Sequence, residues 1–244
     1  AEGLGGCTSL AHLELTDNAI GDEGVGRVAT RLRECTALVY LGLCGNAIGP
    51  AGARSLAEVL GECRALTHLN VAANFDLGVE GVGALAAVLG QCKALAHLNM
   101  SRMQIGDEGA ERLAAGLGGC AALTELELGN SEIGPEGAQR LAGVLGRCTA
   151  LRRLHLQRNA IGDEGAAALA EALGQCRALA HVELAENDIG DEGVRRLAEV
   201  IGSWPSLAYL SLQSTYTSRI TEEGLQQLAA AGLQHGGAGT RVVR

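Results

Sequence analysis

Apolar residues recur along this chain in two alternating patterns. In "LAHLELTDN" (10–18) they fall at Leu10, Leu13 and Leu15, and the alternation at the end reads as a short strand. In "DEGVGRVATRL" (22–32) they fall at Val25, Val28, Ala29 and Leu32. That is the stripe of a helix with one buried face. The pair of patterns returns as LxxLxLxxNxIGDEGxxxLAxxLxxC. Cysteines mark its phase at 7, 35, 63, 92, 120, 148 and 176, each with Leu three residues on, and Trp204 followed by Leu207 takes the next place. Eight repeats of 28–29 residues therefore run over 10–233, after the end of a preceding repeat (1–9) and before a tail or edge strand (234–244). The pattern predicts helices near 22–33, 50–61, 79–90, 107–118, 135–146, 163–174, 191–202 and 222–233.

Strands separated by helices must run parallel. Parallel strands lie about 4.8 Å apart, whereas helix axes need roughly 8–10 Å. One of each per repeat forces curvature, with strands lining the concave side and helices the convex side. The predicted fold class is α/β: a single curved solenoid over residues 1–244. At Leu10, Leu13, Leu15, Asn18, Ile20, Gly24, Leu32 and their counterparts the chain resembles the leucine-rich repeats of the ribonuclease-inhibitor type. The resemblance spans nearly the whole chain. It implies a leucine-rich-repeat horseshoe that binds a protein partner along its concave face.

The acidic segment "NAIGDEG" occurs at 18–24 and again at 159–165. Its acids invite a cation-binding reading, but a calcium loop needs alternating oxygen ligands and a closing Glu. Asp22 and Glu23 instead sit at a helix start, where Asp is a good N-cap and acids favour the helix dipole. Pro50 and Pro135 occupy early helical positions suited to proline. The Gly24-x-Gly26-x-x-Ala29 likeness to a dinucleotide fingerprint recurs in repeat register as a packing feature, and its acidic partner is missing. Asn18, Asn46, Asn74, Asn159 and Asn187 are expected to bond loop backbone in a ladder. Met103, Ser131 and Thr215 interrupt it, which predicts less regular loops there.

Composition narrows the function. The net charge is −9 and Lys93 is the only lysine, which argues against nucleic acid, P-loop and Schiff-base chemistry. No apolar run is long enough to insert into a membrane. Seven cysteines share one repeat position and cannot all pair, and Cys44 is assigned to a strand away from them. They read as small buried residues in a reducing, cytoplasmic compartment, with nucleus or an organelle left open. The sequon at Asn99 falls in a predicted strand and is discounted. No catalytic constellation, cofactor or metal site is assigned. His155 between Glu127 and Glu183 is the nearest to an acid–base group, and His68 and His97 are too few for a metal site.

What varies is the face that strand alternation turns to the concavity. The candidate partner-binding residues there are His12, Glu14, Tyr40, His68, Asn70, His97, Asn99, Arg102, Glu125, Glu127, Arg153, His155, Arg158, His181, Glu183, Glu186 and Tyr209. Duplication of "AHL" offers an alternative origin for the histidines. Arg102, Arg153, Arg158 and His155 read as a central basic region interrupted by acids, suited to a partner of alternating charge. Protonation of the histidine column would make binding pH-sensitive. Two loops depart from the repeat: Phe75-Asp76-Leu77 adds one residue, and "STYTSRI" adds three, placing Tyr216 and Arg219 as a possible rim extension.

The reading is a noncatalytic protein-interaction scaffold. The alternatives are a regulator of a small GTPase, since the Ran GTPase-activating protein resembles this repeat type, a sensor fragment of a larger receptor, and a structural subunit of a large assembly. The opening "GLGGC" matches a helix end without a cap, so this end is expected to belong to a longer protein or to stack on another chain.

Overall fold

A computed structural model describes residues 8–213, 219–231 and 241–243. Strand and helix alternate: β1 (His12–Glu14), α1 (Gly21–Leu32), β2 (Tyr40–Gly42), α2 (Pro50–Leu60), β3 (His68–Asn70), α3 (Gly78–Leu89), β4 (His97–Asn99), α4 (Gly106–Leu117) and β5 (Glu125–Glu127). There follow α5 (Pro135–Leu145), β6 (Arg153–His155), α6 (Gly162–Leu173), β7 (His181–Glu183), α7 (Asp191–Ile201), β8 (Tyr209–Ser211), α8 (Glu222–Ala230) and β9 (Arg241–Val243). The strands form one parallel sheet in chain order. Its register sets equivalent residues side by side, as in His68↔His97 and Arg153↔His181. Among the described residues, helix–helix packing joins sequence neighbours.

The core is one layer of Leu, Ile, Val, Ala and Cys between sheet and helices. Each central strand residue from Leu41 to Leu210 is buried, and α1 turns Val25, Val28, Ala29 and Leu32 inward. The helices from α1 to α7 end one residue earlier than the pattern predicts, and α8 ends at Ala230, before the predicted 233. The extra residue at Phe75–Leu77 is absorbed as a 3₁₀ turn that buries Leu77 and leaves Phe75 58% exposed. The contact between α3 and α4 is tight: a Cβ on Gly116 would lie 2.1 Å from the carbonyl oxygen of Ala86.

The polar scaffold works between repeats. Asn74 accepts at Oδ1 from the N–H groups of Asn46 and Ile48, both at 3.0 Å, and donates from Nδ2 to the carbonyls of Leu43 and Val71. Asn159 does the same for Ser131 and Ile133. The ladder expected from the asparagines is therefore present. At Ser131 the hydroxyl replaces part of it by donating to Met100 and Gly129 carbonyls. The predicted irregularity at Met103 does not arise. Met103 is buried, and Arg102 before it donates its N–H to the Gly129 carbonyl at 2.8 Å, as equivalent residues do elsewhere. Thr215 lies outside the described residues.

The N-cap expectation for the aspartates is corrected. Asp22 does not cap its own helix: α1 begins at Gly21 with φ +58° and makes no side-chain cap. Its Oδ1 accepts instead from Gly49 (2.7 Å) and Gly52 (2.8 Å), at the start of the next repeat's helix. Asp107 serves Gly134 and Gly137 at the start of α5, and Asp163 serves Gly190 and Gly193 at the start of α7. The positive-φ glycine places each Asp inside the first turn, facing sideways.

The buried cysteine column also acts across repeats. Cys92, Cys120 and Cys176 donate from Sγ to the carbonyls of Leu60, Leu89 and Leu145, each the last residue of an earlier helix. Burial pushes the thiols of Cys63, Cys120 and Cys176 up to about 11, so they stay protonated. Cys44, Cys63, Cys92, Cys120, Cys148 and Cys176 are free thiols; Cys7 lies outside the described residues. Cys44 departs from its predicted strand position and sits in the turn after β2.

Replacing Asp107 by Ala leaves two part-buried amides without their acceptor. The expected loss is about 1–3 kcal/mol in urea unfolding, with Asp107→Asn between the two. Unchanged stability in D107A would show that water replaces the carboxylate.

Candidate functional site

Parallel register puts one residue of each strand in a line across the sheet at about 4.8 Å steps. That spacing stacks rings. His12 lies on Tyr40 with centroids 4.1 Å apart, His68 on His97 at 4.2 Å, and His181 on Tyr209 at 4.2 Å. Such pairs contribute about 0.5–1.5 kcal/mol beyond their burial. The histidine column therefore has a packing role as well as an exposed edge. The stacked His68 and His97 rings do not converge on a shared point.

The centre of the line is charged. Glu125 takes the Arg153 guanidinium at 2.5 Å and His97 Nδ1 at 2.8 Å on its Oε2. Its Oε1 lies 3.4 Å from His155 Nε2, within ion-pair range but off the hydrogen-bonding direction. The Arg153 hydrogen bond holds the Glu125 carboxyl below the usual range. Burial, then the Glu125 charge, pushes Glu127 up. His68 and His155 are both shifted down, by burial first and by a neighbouring imidazole second. The expected basic region is thus smaller than its residues imply, because Arg153 is neutralised. The acid–base reading of His155 between Glu127 and Glu183 changes too: its nearest carboxylate across the earlier strand is Glu125.

Several candidates are tied into the scaffold. Asn70 and Asn99 accept from Ala72 and Ser101 N–H groups and so terminate their strands. Asn99 also donates to Glu127 at 2.9 Å. Glu14 accepts the Tyr40 hydroxyl at 2.8 Å. Arg219 donates to the Asp188 carbonyl at 3.3 Å and its backbone bridges Gly190, so it is held against the loop before α7. Tyr216 lies outside the described residues.

Just past the strands the face opens into a trough of about 560 Å³. Asn99, Ser101, Glu127 and Gln157 line it, with Arg102 and Arg158 among its walls. Neither arginine has an ion-pair partner among the described residues. Both belong to a column, Asp17, Gly45, Ala73, Arg102, Asn130, Arg158 and Glu186, with φ between 54° and 65° in every member. Each donates its N–H to a carbonyl of the next repeat. Ser101 and Gln157 were not among the assigned site residues; their place two positions beyond the strand columns is the signal that finds them.

An open parallel sheet with one helix per repeat, phased at 28–29 residues, defines a repeat solenoid. The Leucine Rich repeat family model matches residues 6–29, 91–114, 119–142, 147–170 and 175–198. These matches and the sheet topology show a leucine-rich-repeat solenoid, with repeats resembling the ribonuclease-inhibitor type. Among solved structures it is similar to the tropomodulin C-terminal domain of Caenorhabditis elegans, with 16% identity and a TM-score of 0.51 over 62% of this chain and 90% of that one. It is also similar to leiomodin-1 actin-binding site 2, with 17% identity and a TM-score of 0.51 over 60% and 84%. At these identities the likeness is one of fold. No curated protein sequence matches significantly.

Replacing Arg153 by Ala should raise the Glu125 pKa. Glu125 has a lowered folded pKa, so its pairing contributes stability above the ordinary carboxylate range and loses it as pH falls through the folded value. R153A should therefore be less stable than the parent at pH 7, by about 1 kcal/mol given the half-exposed arginine. The gap should close in acid. His68 and His155 act in the opposite direction to a paired histidine: with folded pKa lowered, they favour folding above about pH 6.5 and oppose it as pH falls. Denaturant midpoints across pH 3–8 check both signs.

Proposed function

We propose that the chain is a noncatalytic protein-binding module whose partner docks on the sheet face and is anchored in the trough beside Arg102 and Arg158. The observation that carries this reading is the pair of unpaired guanidiniums flanking a polar trough, on a face where the other central arginine is already neutralised. Arg102 and Arg158 are two repeats apart, so strand spacing sets them about 10 Å from each other. That spacing suits two carboxylates on one extended partner segment, while Glu127 and Glu186 on the same walls favour donors between or beside them. Tyr40 and Tyr209 extend the contact along the stacked column, and tyrosine and arginine are the residue types that dominate interface energetics. The varied residues lie on this face and the repeated ones beneath it.

The test is affinity capture with the intact chain, its R102E/R158E double variant and the convex-face control R27E, followed by quantitation of each captured protein. Actin is included as a purified probe because the leiomodin-1 neighbour is named for an actin-binding site. The double variant should lose about tenfold or more in affinity for a partner that R27E retains, with both variants melting near the parent. A partner held equally by all three binds elsewhere on the solenoid.

A further inference from the structure

We propose that β6 and β7 hold a divalent transition-metal ion, with Zn²⁺ as the fitting case, on His155, His181 and Glu183. This site is separate from the partner trough and does not depend on that reading.

The register creates the cluster. His155 on β6 is paired with Glu183 on β7, and His181 stands two residues before Glu183 on the same face of the same strand. One ligand atom from each of the three lies within 4.8 Å of the other two. His181 Nε2 is 3.2 Å from Glu183 Oε1. Tetrahedral zinc with bonds of about 2.0–2.1 Å needs ligand atoms roughly 3.3–3.4 Å apart. That edge is close to this value already, and the two edges to His155 lie within 4.8 Å.

His155 supplies the independent observation. Its Nε2 is buried and makes no hydrogen bond, although a buried ring nitrogen ordinarily has a partner. Among the described residues, the carboxylate within ion-pair range of it is Glu125, with Oε1 at 3.4 Å, beyond the usual length of a charge-assisted hydrogen bond. A metal would take a ring nitrogen of His155 in its unprotonated form. Tyr209 stacks on His181 at 4.2 Å with planes 4° apart, which fixes the second imidazole as an outer-sphere partner does.

The surrounding charge is suited to a cation. Glu125 and Glu127 approach from β5, and Arg153, the cation opposite His181 in the register, is engaged by Glu125. Two imidazoles and one carboxylate favour zinc or a similar borderline ion over Mg²⁺ or Ca²⁺, which prefer all-oxygen sites. The three side chains are 20%, 29% and 22% exposed, so a fourth position stays open to water or to a donor from outside. His68 and His97, the pair first suggested by adjacency, are stacked with planes 22° apart and lack this convergence.

The test uses the intact chain, stripped with a chelator, titrated with Zn²⁺ alone by calorimetry and with Co²⁺ by absorbance. One equivalent should bind to the parent and to the H12A and H68A controls. H155A, H181A and E183Q should each weaken it by at least about tenfold, with circular dichroism confirming the fold. The Co²⁺ form should lack an intense thiolate charge-transfer band, and nuclear magnetic resonance should show the His155 and His181 rings shifted by Zn²⁺ while His12 stays in place. Absence of a stoichiometric site in the parent overturns the proposal. So does a thiolate band, or a site that survives both H155A and H181A.

Discussion

A three-residue strand cannot satisfy its own backbone, and neither can the turn that follows it. Every repeat therefore depends on the next one for hydrogen-bond partners, and this dependence organises the protein. The sheet ladder does not stop at the strand ends: Leu15 donates to Gly42, and Asp17, two residues later, to Cys44. To keep that second bond the chain enters the left-handed region, at a cost of order 1 kcal/mol for a non-glycine residue. Seven successive repeats adopt this conformation at the same place, and six of them do so with a non-glycine residue. Periodicity shows that the strain belongs to the scaffold, although strained backbone elsewhere often marks an active site.

The same dependence explains the polar side chains that do not vary. An asparagine in one repeat satisfies amides of the repeat before it. An aspartate satisfies amides of the repeat after it. A cysteine thiol reaches the end of an earlier helix. Ties in both chain directions hold neighbours at a fixed offset, and fixed offset is what aligns strand residues well enough to stack rings at 4.1–4.2 Å. Packing geometry on the sheet face is thus a consequence of hydrogen bonding at its edge.

Much of the fold was legible because it rests on local periodicity. Helix starts came within a residue, and each helix from α1 to α7 closed one residue early at Arg33 or a glycine whose N–H turns back to a nearby carbonyl. The left-handed column was not legible. Asp17, Ala73, Arg102 and Asn130 share no chemistry, and the conformation is imposed by a carbonyl one repeat further along the chain. The role of Asp22 was misread for the same reason: propensity describes a residue in its own helix, and its partners are Gly49 and Gly52. On the sheet face the columns followed from alternation, but pairing did not. That Arg153 spends its charge on Glu125, and that Arg102 does not spend its own, depends on side-chain reach, which spacing does not encode.

These two kinds of arginine show how such a face acquires specificity. The scaffold bonds are made by edge and loop residues, so a substitution in the middle of the sheet face leaves them intact. Position 97 can be His where 125 is Glu and 153 is Arg without disturbing the leucines between. Yet each new side chain stands about 4.8 Å from its neighbours and is constrained by them. Glu125 is one example: it binds Arg153 and His97 and leaves His155 without a hydrogen bond. Binding capacity then resides in the remainders of these local pairings, the groups that neighbours have not satisfied. Among the described residues, Arg102, Arg158, the His155 nitrogen and the Gln157 Oε1 in the same trough are such remainders. A partner or an ion recognises this face through what the repeats leave unpaired, rather than through the face's overall charge.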